Sequence, residues 1–130
     1  KATLIHVECH RPDLRAGAER MSRHWYDLAR LADHEVGRKA LADTELLRDV
    51  LRIKETFYRS GFSHYELCQA GGLRLIPDAP LLNALQRDYQ AMLDAQMFYG
   101  ETLVFDRIVE RLTALEREIN RQGWAAAPGR

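Results

Sequence analysis

The amino-acid sequence predicts an all-α fold: a bundle of about five helices in one domain over residues 1–122, followed by a frayed tail at 123–130. Two observations carry this. Apolar residues recur at i, i+3, i+4 and i+7 in successive stretches, with glycine and proline punctuating the chain between them. The one extended candidate, "LRLI" at 73–76, has nothing obvious to pair with. The chain has 130 residues, 46% apolar and 29% charged, which is enough for one core.

The elements follow in order. "KATLIHVECH" reads as a short helix ending near His10. It begins on Lys1 rather than on a methionine and has no N-cap residue before it, so the chain is expected to be a fragment. "RPDLRAGAERM" reads as a loop. Ser22 is the expected cap of the next helix, in which Trp25, Leu28, Ala29 and Ala32 share one face. "EVGRKALA" is a break with some helical character. Asp43 or Thr44 opens a long helix that Gly61 ends. Gly71, Gly72 and two prolines keep "GFSHYELCQAGGLRLIPDAP" irregular. Pro80 suits the first turn of a helix that Gly100 closes. In the last helix Phe105, Ile108, Val109, Leu112, Leu115 and Ile119 form one stripe.

Charge and cysteine usage exclude several classes. Formal net charge is zero; the first 65 residues carry 12 basic and 10 acidic side chains and the remainder 7 and 9. No global field draws the chain to nucleic acid or membrane, so anion binding must be local. Two cysteines, Cys9 and Cys68, are too few for a disulfide framework and fit a reduced, cytoplasmic setting. No apolar run reaches the length of a membrane span, so no membrane partner is expected.

Asp27 is the first candidate site residue. In "SRHWYDLARLADH", Arg23, Asp27 and Arg30 lie on one helical face, opposite Trp25. Spacing alone leaves two readings open: an exposed charge cluster worth a few tenths of a kcal/mol, or a carboxylate at an anion site with arginines on phosphates. Lys54 falls inside the stripe formed by Leu47, Val50, Leu51, Phe57 and Tyr58. An ammonium there either runs past the aromatic rings to solvent or meets a phosphate or carboxylate in a cleft. Glu116 interrupts the last stripe and calls for a structural partner such as an arginine. His6 and His10 have helical metal-binding spacing but no second ligand pair, which favours structural histidines. Arg59 and His64 fit a loose helical-ribonuclease pattern that a glycine interrupts. Met92, Met97, Phe98 and Tyr99 are large apolar groups at a helix end, suited to core or to an interface.

The ordered set "SRHWYDLARL", "ALADTELLRDVLRIKETFYRS", "GGLRLIPDAPLLNALQRDYQAMLDAQMFYG" and "FDRIVERLTALEREINR" resembles the C-terminal part of the AbiEii/AbiGii-toxin-like nucleotidyltransferases of bacterial abortive-infection and toxin–antitoxin systems. The resemblance runs from Lys1 to about Arg121. It implies a polymerase-β-type parent whose N-terminal half carries an Asp-x-Asp pair for Mg²⁺, and that half is not in this sequence. It implies that Lys1 and Asp27 are catalytic and that Arg23 and Lys54 bind substrate, with no metal ligand in residues 1–130. The implied ligands and partners are Mg²⁺ and a nucleoside triphosphate in the parent protein, an RNA (tRNA) or protein acceptor, and a cognate antitoxin. On this reading the fragment alone neither holds the cofactors nor transfers nucleotides. The alternative is a non-catalytic helical module that binds an antitoxin or forms a homodimer.

Overall fold

The periodicities resolve into seven helices and no strand among the described residues, 1–11, 20–43, 45–69 and 71–122 of a computed structural model. The all-α expectation holds, and the count of about five is corrected by two short helices. Most of the expected 11–21 loop, Thr44 and the tail lie outside the described residues.

Helix α1 spans Ala2–His10 and buries Ile5, His6 and Cys9. Helix α2, Ser22–Ala32, turns Trp25, Leu28 and Ala29 into the core, as its spacing predicts. Ser22 does not cap it. The Asp88 carboxylate instead accepts the main-chain N–H groups of Arg20 (2.7 Å) and Ser22 (2.9 Å), as well as the Ser22 hydroxyl. A negative charge at a helix N-terminus satisfies its free N–H groups and its dipole. Here it comes from Asp88, 66 residues away in sequence.

Helix α3, Glu35–Ala42, replaces the expected break. His34 caps it by accepting Val36 N–H, and the helix buries no residue. It sits so close to α2 that a Cβ on Gly37 would lie 1.8 Å from the Leu31 carbonyl oxygen. Helix α4, Leu46–Phe57, buries only Leu51. The far end of its expected apolar stripe runs out into solvent, with Phe57 73% exposed and Tyr58 64%. Helix α5, Tyr65–Gln69, is the second unexpected helix, anchored by buried Tyr65 and Cys68.

Helix α6, Ala79–Asp94, has Pro80 in its first turn but stops well before Gly100. Gln96 takes a left-handed φ of +54°, with Gln96 N–H on Leu93 O and Met97 N–H on Met92 O. This is a Schellman closure with glutamine where glycine is usual, so glycine was a misleading marker. Helix α7, Phe105–Arg121, buries Ile108, Leu112, Leu115 and Ile119 against α2.

The segment Leu73–Ile76 is neither helix nor strand, and Leu73 and Leu75 are buried in the core. Buried main-chain groups must find hydrogen bonds, and here side chains supply them. Asn120 accepts from Leu73 N–H and donates to Leu73 O, both at 3.0 Å. Arg74 N–H donates to His6 Nδ1 at 3.0 Å. Glu116 accepts from Leu75 N–H at 2.6 Å and Ile76 N–H at 3.3 Å. Trp25 Nε1–H donates to Leu75 O at 2.9 Å. The Glu116 partner is therefore main-chain amide, not an arginine. The same bonds fix α1, α2 and α7 to one another, and so fix where Lys1 and Asp27 stand.

Candidate functional site

The site forms where the start of α1 meets the outer face of α2. Lys1 Nζ lies 3.0 Å from Asp27 Oδ2 and 3.1 Å from His24 Nδ1. The ammonium donates to both, so the His24 ring accepts at Nδ1 and is neutral. Burial, then the Lys1 charge, then that of Arg23 hold His24 below the ordinary imidazole range. His24 stands three residues before Asp27, on the same helical face. The pair is part-exposed, with 35% of the Lys1 side chain and 43% of the Asp27 side chain accessible. A pair so placed contributes at most about 1 kcal/mol to folding, so stability does not account for its arrangement.

Lys1 and Asp27 share a cavity of about 650 Å³ with Tyr26, Arg30, Leu31, Asp33, His34 and Leu103. Tyr26 packs on Phe98 with ring centres 4.4 Å apart and planes tilted by 42°, and Phe98 lies 5.4 Å from Tyr89. The Tyr89 hydroxyl donates to Leu103 O, and burial pushes its pKa up to about 12, so it stays protonated.

Arg23 and Lys54 are not in the lining of this cavity, although both act on its Lys1 edge. Arg23 is exposed, and its charge bears on His24. The Lys54 ammonium is close enough to the Lys1 main chain for its charge to be felt there. Lys54 stands 5.0 Å from the centre of the Tyr58 ring and is only half-buried. The predicted cost of burying its charge therefore does not arise, because the far end of the α4 stripe is itself exposed.

Among the described residues no three His, Cys, Asp or Glu side chains are grouped to hold an ion, and Asp27 is engaged by Lys1. His6 is structural: it accepts Arg74 N–H at Nδ1 and donates from Nε2 to His64 O at 2.9 Å. Arg59 and His64 lie on the α4–α5 connection, and the His64 imidazole is 3.6 Å from Glu66.

The helical lobe thus sets a lysine–aspartate pair at one wall of an open cavity that Arg30 also lines. The chain matches the family model of the nucleotidyl transferase AbiEii toxin, type IV toxin–antitoxin system, over residues 1–111, and it belongs to that family. No curated protein and no solved structure matches it.

The sequence undervalues two lining residues, Arg30 and His34, and one neighbour of the pair, His24. Arg30 was legible only as part of a charge cluster. His24 could have been found from its i,i+3 spacing to Asp27. His34 left no signal, because its position depends on how α3 folds back on α2.

Proposed function

We propose that residues 1–122 are the helical lobe of a nucleotidyltransferase that moves a nucleotide from a nucleoside triphosphate to an RNA, such as a tRNA 3′ end, or to a protein acceptor. The supporting observation is the Lys1–Asp27 pair at 3.0 Å on a shared cavity, in a chain of the AbiEii family. Lys1 meets anionic phosphate oxygens as a point charge, and Lys54 and Arg23 add positive charge at its edge. Asp27 is a positioning residue that holds the Lys1 ammonium in place.

In the reaction the acceptor hydroxyl oxygen bonds to the α-phosphorus and loses its proton. The bond to the bridging oxygen breaks, and pyrophosphate leaves with the electron pair. The Asp-x-Asp pair that binds Mg²⁺ is assigned to a lobe outside residues 1–130, so the chain alone is inactive. The test is transfer of labelled nucleotide by the natural polypeptide that contains this chain. Asp27→Asn is expected to lower kcat/KM by about 10²-fold, the scale of a lost electrostatic contact in a transition state. Undiminished transfer would deny Asp27 its role.

One observation favours a second reading, an interaction module that binds an antitoxin or self-associates. Ile53, Phe57 and Tyr58 stand exposed on α4, and Tyr99 is 97% exposed, whereas Met92 is core and Phe98 joins the aromatic cluster. Sedimentation of the chain decides the self-association part: a monomer at high concentration argues against it.

A further inference from the structure

We infer that Arg30 is the phosphate-binding arginine of the Lys1–Asp27 cavity, taking a phosphate group of the nucleoside triphosphate or of an RNA acceptor. The inference rests on the nucleotidyl-transfer reading and deepens it. The first ground is charge. Of the ionised groups lining the cavity, Lys1 is matched by Asp27 at 3.0 Å, and Asp33 is matched by Arg111 at 2.8 Å from outside the lining. Arg30 lines the same cavity and has no carboxylate within ion-pair distance among the described residues, although Asp27 is only three residues away. Its charge is the unbalanced one, so the cavity attracts an anion.

The second ground is placement. The Arg30 guanidinium stands 5.9 Å from the centre of the Tyr26 ring. Tyr26 is in turn fixed by Phe98. A guanidinium held on an aromatic face loses little freedom on binding and keeps its N–H fork available. Other arginines near this end of the fold are spent on the protein: Arg111 on Asp33, and Arg38 on the Asp33 carbonyl.

The third ground is the surrounding chemistry. His34 accepts Val36 N–H at Nδ1, so its neutral ring carries hydrogen on Nε2 and lines the cavity as a donor. Arg30, Lys1 and His34 thus offer N–H groups around one concavity, and the two carboxylates of its lining are engaged elsewhere, Asp27 by Lys1 and Asp33 by Arg111. Planar bidentate recognition of phosphate oxygens is what an unpaired guanidinium does best.

The experiment titrates the natural polypeptide that contains this chain with two probes, inorganic triphosphate and a single-stranded RNA oligonucleotide with hydroxyl ends. Binding is read from the Arg30 Nε–H resonance and from calorimetry, and circular dichroism checks folding. Arg30→Ala is expected to weaken at least one probe by about tenfold, the scale of a charge-assisted contact. Arg30→Lys, which keeps the charge and loses the fork, is expected to fall between. Arg107→Ala, which removes an exposed arginine near Glu110, should stay within twofold of wild type. A loss confined to triphosphate assigns the phosphate to the nucleotide, and one confined to RNA assigns it to the acceptor. If Arg30→Ala binds both probes as wild type does, or if wild type binds neither, the inference is overturned. The outcome is separate from the test of Asp27: transfer abolished by Asp27→Asn with unaltered Arg30→Ala binding removes the inference and leaves the function standing. Full transfer by Asp27→Asn removes the function and leaves the binding result to stand by itself.

Discussion

Replacing Glu116 by alanine tests how a segment that is neither helix nor strand is held in this core. The Glu116 carboxylate accepts Leu75 N–H at 2.6 Å and Ile76 N–H at 3.3 Å, and Leu75 is wholly buried. A hydrogen bond to a charged acceptor contributes about 1.5–3 kcal/mol, and a buried N–H left without a partner costs about 1–3 kcal/mol. The two figures describe the same loss from two sides. The short bond dominates, so Glu116→Ala is expected to cost about 3 kcal/mol. Glu116→Gln keeps one acceptor oxygen and should cost about 1 kcal/mol. With a urea slope of about 1.5 kcal/mol per molar, 3 kcal/mol lowers the midpoint by about 2 M. Urea unfolding followed by far-ultraviolet circular dichroism measures it directly. Glu110→Ala is the control: Glu110 is exposed, 3.8 Å from Arg107, and its loss should stay within about 0.5 kcal/mol. Equal midpoints for the two alanine variants would refute the idea that α7 side chains stand in for a missing strand.

Gly37→Ala sets helix propensity against space. Alanine gains about 1 kcal/mol in a helix interior, but its Cβ would sit 1.8 Å from the Leu31 carbonyl oxygen. The clash with backbone wins, and thermal melting should show a net loss of about 1–3 kcal/mol. Gln96→Gly relieves a left-handed residue at φ +54° and is expected to raise stability by about 1 kcal/mol in the same assay. Stability also depends on pH through His6. Burial holds its pKa below the ordinary 6.5, outweighing the bond to His64 O, which raises it, and a second ring proton would displace Arg74 N–H from Nδ1. The unfolded state therefore binds the proton more readily, and stability rises with pH in this range. Its contribution is complete above about pH 6.5 and is lost as pH falls from there towards the lowered folded value. Urea midpoints should drop between pH 7.5 and 5; a flat profile would contradict the assigned ring roles.

The fold was legible where apolar spacing was long and one-sided. Trp25 and Ala29 on α2, and Ile108, Leu112 and Ile119 on α7, are buried as their periods predict. It was illegible where tertiary partners decide. Nothing local says that Asp88 closes the start of α2, or that Asn120 and Glu116 satisfy Leu73–Ile76. Periodicity also misled on α4: Phe57 repeats at core spacing, yet no described residue covers it. At the site, Arg23, Asp27 and Arg30 shared a face on paper, and the fold then separated the two arginines by giving the cavity only Arg30. The Lys1–Asp27 approach was reached through family likeness, since residues 26 apart in sequence carry no spacing rule.

The account stands or falls on Lys1 and Asp27 acting as one unit in nucleotidyl transfer. A double-mutant cycle on kcat/KM for transfer of labelled nucleotide, with Lys1→Ala, Asp27→Asn and both together in the natural polypeptide that contains the chain, measures this most directly. Groups that act as a unit are strongly non-additive, so the double variant is predicted to be no slower than the worse single one. Losses that simply multiply, or an Asp27→Asn protein as fast as wild type, would contradict the account.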